Sequence, residues 1–170
     1  MTEAAIFVVF PLCLAMAAFS DLFTMTIPNR ISAILLATFV VVAPFAGLGI
    51  EQIGFHFLSA AIVFVFCFAL FALNIMGGGD AKLLTAAAVW FGFDQSLFLF
   101  LAYVSLFGGI LTIFILMLRR QENTLLASGL PLPPMLFTAK KIPYGIAIGI
   151  GGFFTYPSSP LMMAALGHAQ

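Results

Sequence analysis

Residues 53–82 read IGFHFLSAAIVFVFCFALFALNIMGGGDAK, and this stretch decides the fold. From Ile53 to Met76 no side chain is charged, and the run exceeds the about 20 residues an α-helix needs to cross a bilayer. It ends at Gly77, Gly78 and Gly79, whose lack of side chains permits positive φ or the close approach of an extended peptide. Asp80 follows at once, and a second apolar run from Ala81 to Phe93 begins behind it. An ionised acid inside a bilayer costs about 3 kcal/mol, so Asp80 marks a place where chemistry or local structure requires a carboxyl.

Working outward, further apolar runs extend over Ala4–Ser20, Ile31–Ile50, Leu97–Leu118 and Ile142–Tyr156, the last closed by Pro157. The segments Ala81–Phe93 and Ile142–Tyr156 are short for a span. The expectation is an all-α, polytopic membrane helical bundle of about six transmembrane helices, forming one domain over residues 1–170. Composition agrees: 64% of residues are hydrophobic and 7% charged, with a mean hydropathy of +1.22, whereas soluble domains carry about 25% charged residues. A formal net charge of zero, with six Lys and Arg scattered along the chain, gives no basic stripe and excludes nucleic acid as the expected partner. Thr2 and Glu3 open the chain without a basic segment, so the first run reads as a retained span. Cys13 and Cys67 lie inside apolar runs with no second ligand at metal spacing, so neither a disulfide framework nor a metal site is expected.

Cations accumulate in cytoplasmic loops. With the amino terminus on the periplasmic side, Arg30, Lys82, Arg119, Arg120, Lys140 and Lys141 all fall on the cytoplasmic side, and Glu3, Glu51 and Asp94 on the other. Between Gln121 and Ala139, Pro131, Pro133 and Pro134 prevent a continuous helix, so this stretch is expected to be a cytoplasmic loop.

In that orientation Asp21, at the end of the first span, and Asp80, at the start of the fourth, reach the same side at comparable depth. Two carboxyls a few ångströms apart in a low-dielectric site cannot both ionise easily and so share one proton. One then activates water while the other polarises a carbonyl, which is hydrolysis without metal or organic cofactor. The competing readings are local: Asp80 as a helix N-cap and Asp21 as a solvated loop residue. Gly77–Gly79 are candidate substrate-binding backbone. They form no nucleotide loop, because GxxxxGK[ST] spacing is absent. Lys82 is either a topogenic charge or a cation acting on Asp80 and substrate. Pro28 interrupts the helix, Asn29 is a candidate cap for the next, and Arg30 sets topology. His56 and His168 read as lone imidazoles with structural roles. Gly145, Gly149, Gly151 and Gly152 place small residues where helix backbones can approach closely in lipid.

Ser20-Asp21 with Ile27-Pro28-Asn29, then Gly77-Gly78-Gly79-Asp80-Ala81-Lys82, then Lys141-Ile142-Pro143-Tyr144-Gly145 resemble the type IV prepilin peptidases, especially the short CpaA-like members that serve tight-adherence (Flp) pili. The resemblance covers most of the chain. It implies an intramembrane aspartyl endopeptidase of the bacterial inner membrane that removes the basic leader of a prepilin at the cytoplasmic face, with Asp21 and Asp80 as the catalytic pair and Gly77 and Gly79 shaping the site. Larger relatives insert a cytoplasmic domain with paired CxxC motifs after the first span and also methylate the new amino terminus. Here only about ten residues separate those spans, so methyltransferase activity is not expected. Presenilin-like proteases share GxGD but carry Tyr before the first Asp and a Pro-Ala-Leu element, where this chain has Ser20 and no such tripeptide. The readings from other classes are a small proton-coupled transporter, whose acids would sit nearer the midplane, and a non-enzymatic pilus assembly scaffold.

Overall fold

The computed structural model describes residues 2–121 and 142–168, which form helices and turns with no strand among the described residues. In chain order these are α1 (Thr2–Thr24), α2 (Asn29–Phe45), α3 (Ile50–Ala72), α4 (Gly78–Phe91), α5 (Gln95–Arg120) and α6 (Tyr144–Thr155). A 3₁₀ turn (Tyr156–Ser158) then leads to α7 (Pro160–His168). The connection expected to be a proline-broken cytoplasmic loop, with Glu122, Lys140 and Lys141, lies at 122–141, outside the described residues.

Three helices are long and apolar enough to cross a membrane, namely Glu3–Thr24 within α1, α3 and α5, and α2 is a shorter apolar helix. The chain is a multi-pass membrane protein. Both segments read as short from the sequence are short helices: α4 has 14 residues and α6 has 12, so at a rise of 1.5 Å per residue they extend about 21 and 18 Å. Pro157 does not end the chain's helical path, because it sits in the 3₁₀ turn that redirects α6 into α7.

The turns at 25–28, 46–49, 73–77 and 92–94 are short, so the end of each helix lies beside the start of the next and the chain reverses from one to the other. Each holds a residue of positive φ: Met25 at 52°, Gly47 at 80°, Asn74 at 57° and Gly92 at 66°. After Gly47 and Asn74 the next amide reaches back five residues, Leu48 to Ala43 at 3.2 Å and Ile75 to Leu70 at 2.9 Å, which ties off carbonyls that the helix end leaves open.

Short α4 is the hub, packed by α3, α2, α6 and α7. Its residues Ala86 to Phe91 are completely buried, and the small Ala86, Ala87 and Ala88 let neighbouring backbones approach. In lipid, helices associate through packing and polar contacts rather than through the hydrophobic effect. Around the buried half of α4 the polar contacts run from side chain to backbone. Trp90 Nε1 donates to the Leu35 carbonyl of α2 at 3.1 Å. His56 Nδ1 of α3 lies 2.6 Å from the Val89 carbonyl, and Ser59 Oγ donates to the Ala88 carbonyl at 3.4 Å as well as to the His56 carbonyl of its own helix at 2.7 Å. His56, read from the sequence as a lone imidazole, is buried and joins α3 to α4.

The glycines of α6 do what small residues in a membrane helix are expected to do. A Cβ on Gly149 would lie 3.3 Å from Ala18 Cβ of α1, and one on Gly152 would collide with Leu14. On the opposite face a Cβ on Gly151 would meet Val104 of α5 at 2.8 Å, and the Tyr144 ring occupies the space a side chain on Gly108 would need. So α6 is wedged between α1 and α5.

Candidate active site

The antiparallel order brings the end of α1, the starts of α2 and α4 and the ends of α3 and α5 to one end of the bundle. Arg30, Lys82, Arg119 and Arg120 are therefore gathered there, with Asp21 and Asp80, while Glu3, Glu51 and Asp94 sit at helix starts on the far end.

The sequence reading closed the first span at Asp21, but α1 runs on to Thr24, so Asp21 lies within the last helical turn and is 5% exposed. The turn is fixed by its own hydroxyls. Ser20 Oγ donates to the Thr26 carbonyl at 2.8 Å, Thr24 Oγ1 donates to the Ser20 carbonyl at 2.7 Å, and the Thr24 and Thr26 hydroxyls are 2.7 Å apart. Met25, at φ 52, reverses the chain there. Asn29 is not the cap of α2: Pro28 is, without a side-chain bond, because Asn29 turns its carboxamide to Lys82, whose Nζ donates to Oδ1 at 3.0 Å. That bond ties the start of α2 to the first turn of α4, and it is the contact Lys82 makes.

Nor is Asp80 an N-cap. Gly77 holds that position, Gly78 and Gly79 are already helical, and Asp80 is the third helical residue, 9% exposed. An acid there complements the positive end of the helix and can fold back over the cap. It does so: a Cβ on Gly77 would sit 2.5 Å from Asp80 Oδ2, so the carboxyl occupies the space glycine leaves open. Gly78 lies under the Phe71 ring, 3.2 Å from where its Cβ would be. Gly79 faces Ile27, whose Cβ would be 3.2 Å from a Cβ placed there.

Ile27 joins the two halves. On its other side its Cδ1 would lie 3.1 Å from a Cβ on Gly145 of α6, and Gly145 in turn donates its N–H to Asp21 Oδ2 at 2.7 Å. Ile27 thus lies between Gly79, the neighbour of Asp80 in α4, and Gly145, whose amide holds Asp21 against α6, so each acid is lodged at a helix start. Ile27 and the Gly145 amide are the parts the sequence reading did not assign to the site. The sequence signal for them is Ile27 before Pro28 and Gly145 after Pro143, residues that precede or open helices at the same end. Among the described residues no group of three His, Cys, Asp or Glu could hold a metal ion.

A protein-family model for the type IV leader peptidases matches residues 8–113, a range that includes Asp21, Ile27 and Asp80 and stops before α6. No curated protein and no solved structure matches the chain. A match over more than half of the chain, on the segment that carries both buried acids, means that this multi-pass membrane protein belongs to the type IV leader peptidase family.

Proposed function

We propose that this peptidase is of the aspartic type, with Asp21 and Asp80 as its catalytic pair, and that it removes the leader of Flp-type prepilins at the cytoplasmic face of the bacterial inner membrane. The observation that carries the reading is that two buried carboxyls lie at the end where the described cations gather, each beside a glycine-opened helix start, with Ile27 packed against Gly79 of one and Gly145 of the other. One carboxyl, ionised, takes a proton from water as the oxygen attacks the scissile carbonyl carbon. The other, protonated, hydrogen-bonds the carbonyl oxygen as charge develops there. The C–N bond then breaks and the leaving amine takes up the proton, which returns the pair to its single-proton state. The backbone of Gly77 to Gly79 receives the extended peptide, and Lys82, besides bonding Asn29, lies where a polar part of the substrate enters. A prepilin suits this end of the molecule, since its cytoplasmic leader joins an apolar helix and the bond between them lies near the bilayer edge.

With α1 and α2 joined by residues 25–28 alone, no domain is inserted there, in keeping with a peptidase that does not methylate its product. The whole of residues 1–170 serves as one membrane domain. The transporter reading fits less well, because both acids sit at one end of their helices rather than at mid-depth.

The test is cleavage of a prepilin-like peptide by the purified protein in detergent. Asp21→Asn and Asp80→Asn should each abolish turnover while leaving the thermal melt near that of the parent, and a chelator should leave the parent rate unchanged. Turnover surviving either substitution, or lost to chelator, overturns the aspartic reading.

A further inference from the structure

The third strut of the site comes from α6, beyond the stretch that the family model matches, and it acts on one atom. Gly145 is the second helical residue of α6 after the cap Pro143. Amides in a first turn have no carbonyl one turn earlier to take their hydrogen, so they are donors in search of an acceptor. This one finds Asp21 Oδ2 at 2.7 Å, in a bond that is buried and joins residues 124 apart in sequence. The position admits nothing larger than glycine without movement. A Cβ would lie 2.9 Å from Asp21 Cβ, 3.0 Å from Oδ2 and 3.1 Å from Ile27 Cδ1.

We propose that Gly145 is a positioning residue for the hydrolysis, its N–H pinning Oδ2 so that the other oxygen of Asp21 is turned to the water. The inference rests on Asp21 and Asp80 being the catalytic pair. It makes α6 part of the machinery rather than only a packing helix, and it separates Gly145 from Gly149, which faces the same helix α1 but touches Ala18 and not the acid.

Displacing a reacting group by about 1 Å costs roughly a hundredfold in rate. Gly145→Ala should therefore lower kcat by about ten- to a hundredfold with KM within about twofold, whereas Gly149→Ala should keep kcat within about threefold. Equal losses in the two variants, or an unchanged kcat in Gly145→Ala, would overturn the proposal.

A second measurement needs no substitution at Gly145. In protein labelled with ¹⁵N-glycine, the Gly145 amide proton should follow the ionisation of Asp21 as pH is varied. Among the described residues, the other charged or titratable groups at this end of the packed elements are Asp80 and Lys82 on α4, Arg30 on α2, Arg119 and Arg120 on α5 and Tyr144 on α6, while Glu3 of α1 lies at the far end. The response should accordingly persist in Asp80→Asn and vanish in Asp21→Asn. An amide that ignores pH in the unsubstituted protein ends the proposal, even if Gly145→Ala does not fold. Cleavage that survives Asp21→Asn would instead remove the catalytic pair, a separate failure, since the amide titration does not depend on activity.

Discussion

At the scale of single residues, the site is defined as much by missing side chains as by the two acids. Gly77 makes room for Asp80 Oδ2, Gly79 for Ile27, and Gly145 for Asp21. A methyl group at Gly77 would fall 2.5 Å from Asp80 Oδ2, and the carboxyl must move to admit it. Gly77→Ala should lower kcat by roughly tenfold or more, equivalent to about 1.4 kcal/mol in the barrier. Gly109→Ala is the matching control: nothing lies within 4 Å of a Cβ there, so activity should be unchanged. Its stability should rise by up to about 1 kcal/mol, because alanine suits a helix interior better than glycine. Peptide cleavage and detergent melts on the pair check both halves. Part of this was legible in advance. GGGD announces an acid with open backbone before it, but which glycine serves the acid and which admits Ile27 depends on the rotation of α4, and no local sequence signal sets that rotation.

At the scale of elements, α4 and α6 are short helices held by their neighbours. The far end of α4 is anchored by Trp90, which is fully buried, donates to Leu35 and packs on Phe10 with ring centroids 5.3 Å apart. Asp80 sits ten positions earlier, about 15 Å along the axis. Trp90→Phe should therefore cost about 2 kcal/mol of stability, from the lost hydrogen bond and the space left behind, while kcat of the folded protein stays within about threefold. A melting temperature that falls without a matching fall in kcat would confirm that the two ends of α4 are separable. The lengths of α3 and α4 follow their apolar runs, yet α2 stops at Phe45, five residues short of its run to Ile50, because the chain turns at Gly47, and α1 outran its apolar stretch by a turn. Ser20 and Thr24 satisfy their hydroxyls on nearby carbonyls, so polar residues there extend the helix instead of ending it. For the same reason Asp21 became a helix residue rather than a loop residue.

At the scale of the whole molecule, alternating short turns collect Arg30, Lys82, Arg119 and Arg120 at the end that holds the acids. If cations mark the cytoplasmic side, a Glu3→Cys variant should react with a membrane-impermeant thiol reagent in intact cells, and Gln121→Cys only after permeabilisation. The native Cys13 and Cys67 are buried and should stay silent. The reverse pattern would place the acids on the outer side. Composition and run length by themselves determined a multi-pass helical membrane protein, because burying so much apolar surface in water is impossible and a bilayer fixes helix length. The motifs by themselves marked Asp21 and Asp80. How those acids are held emerges only in three dimensions: Ile27 lies between two helix starts, and an amide from α6 bonds Asp21. Glycine and isoleucine stand visibly in the chain, but which distant partner each meets depends on how the helices rotate and pack against one another, which no local pattern specifies.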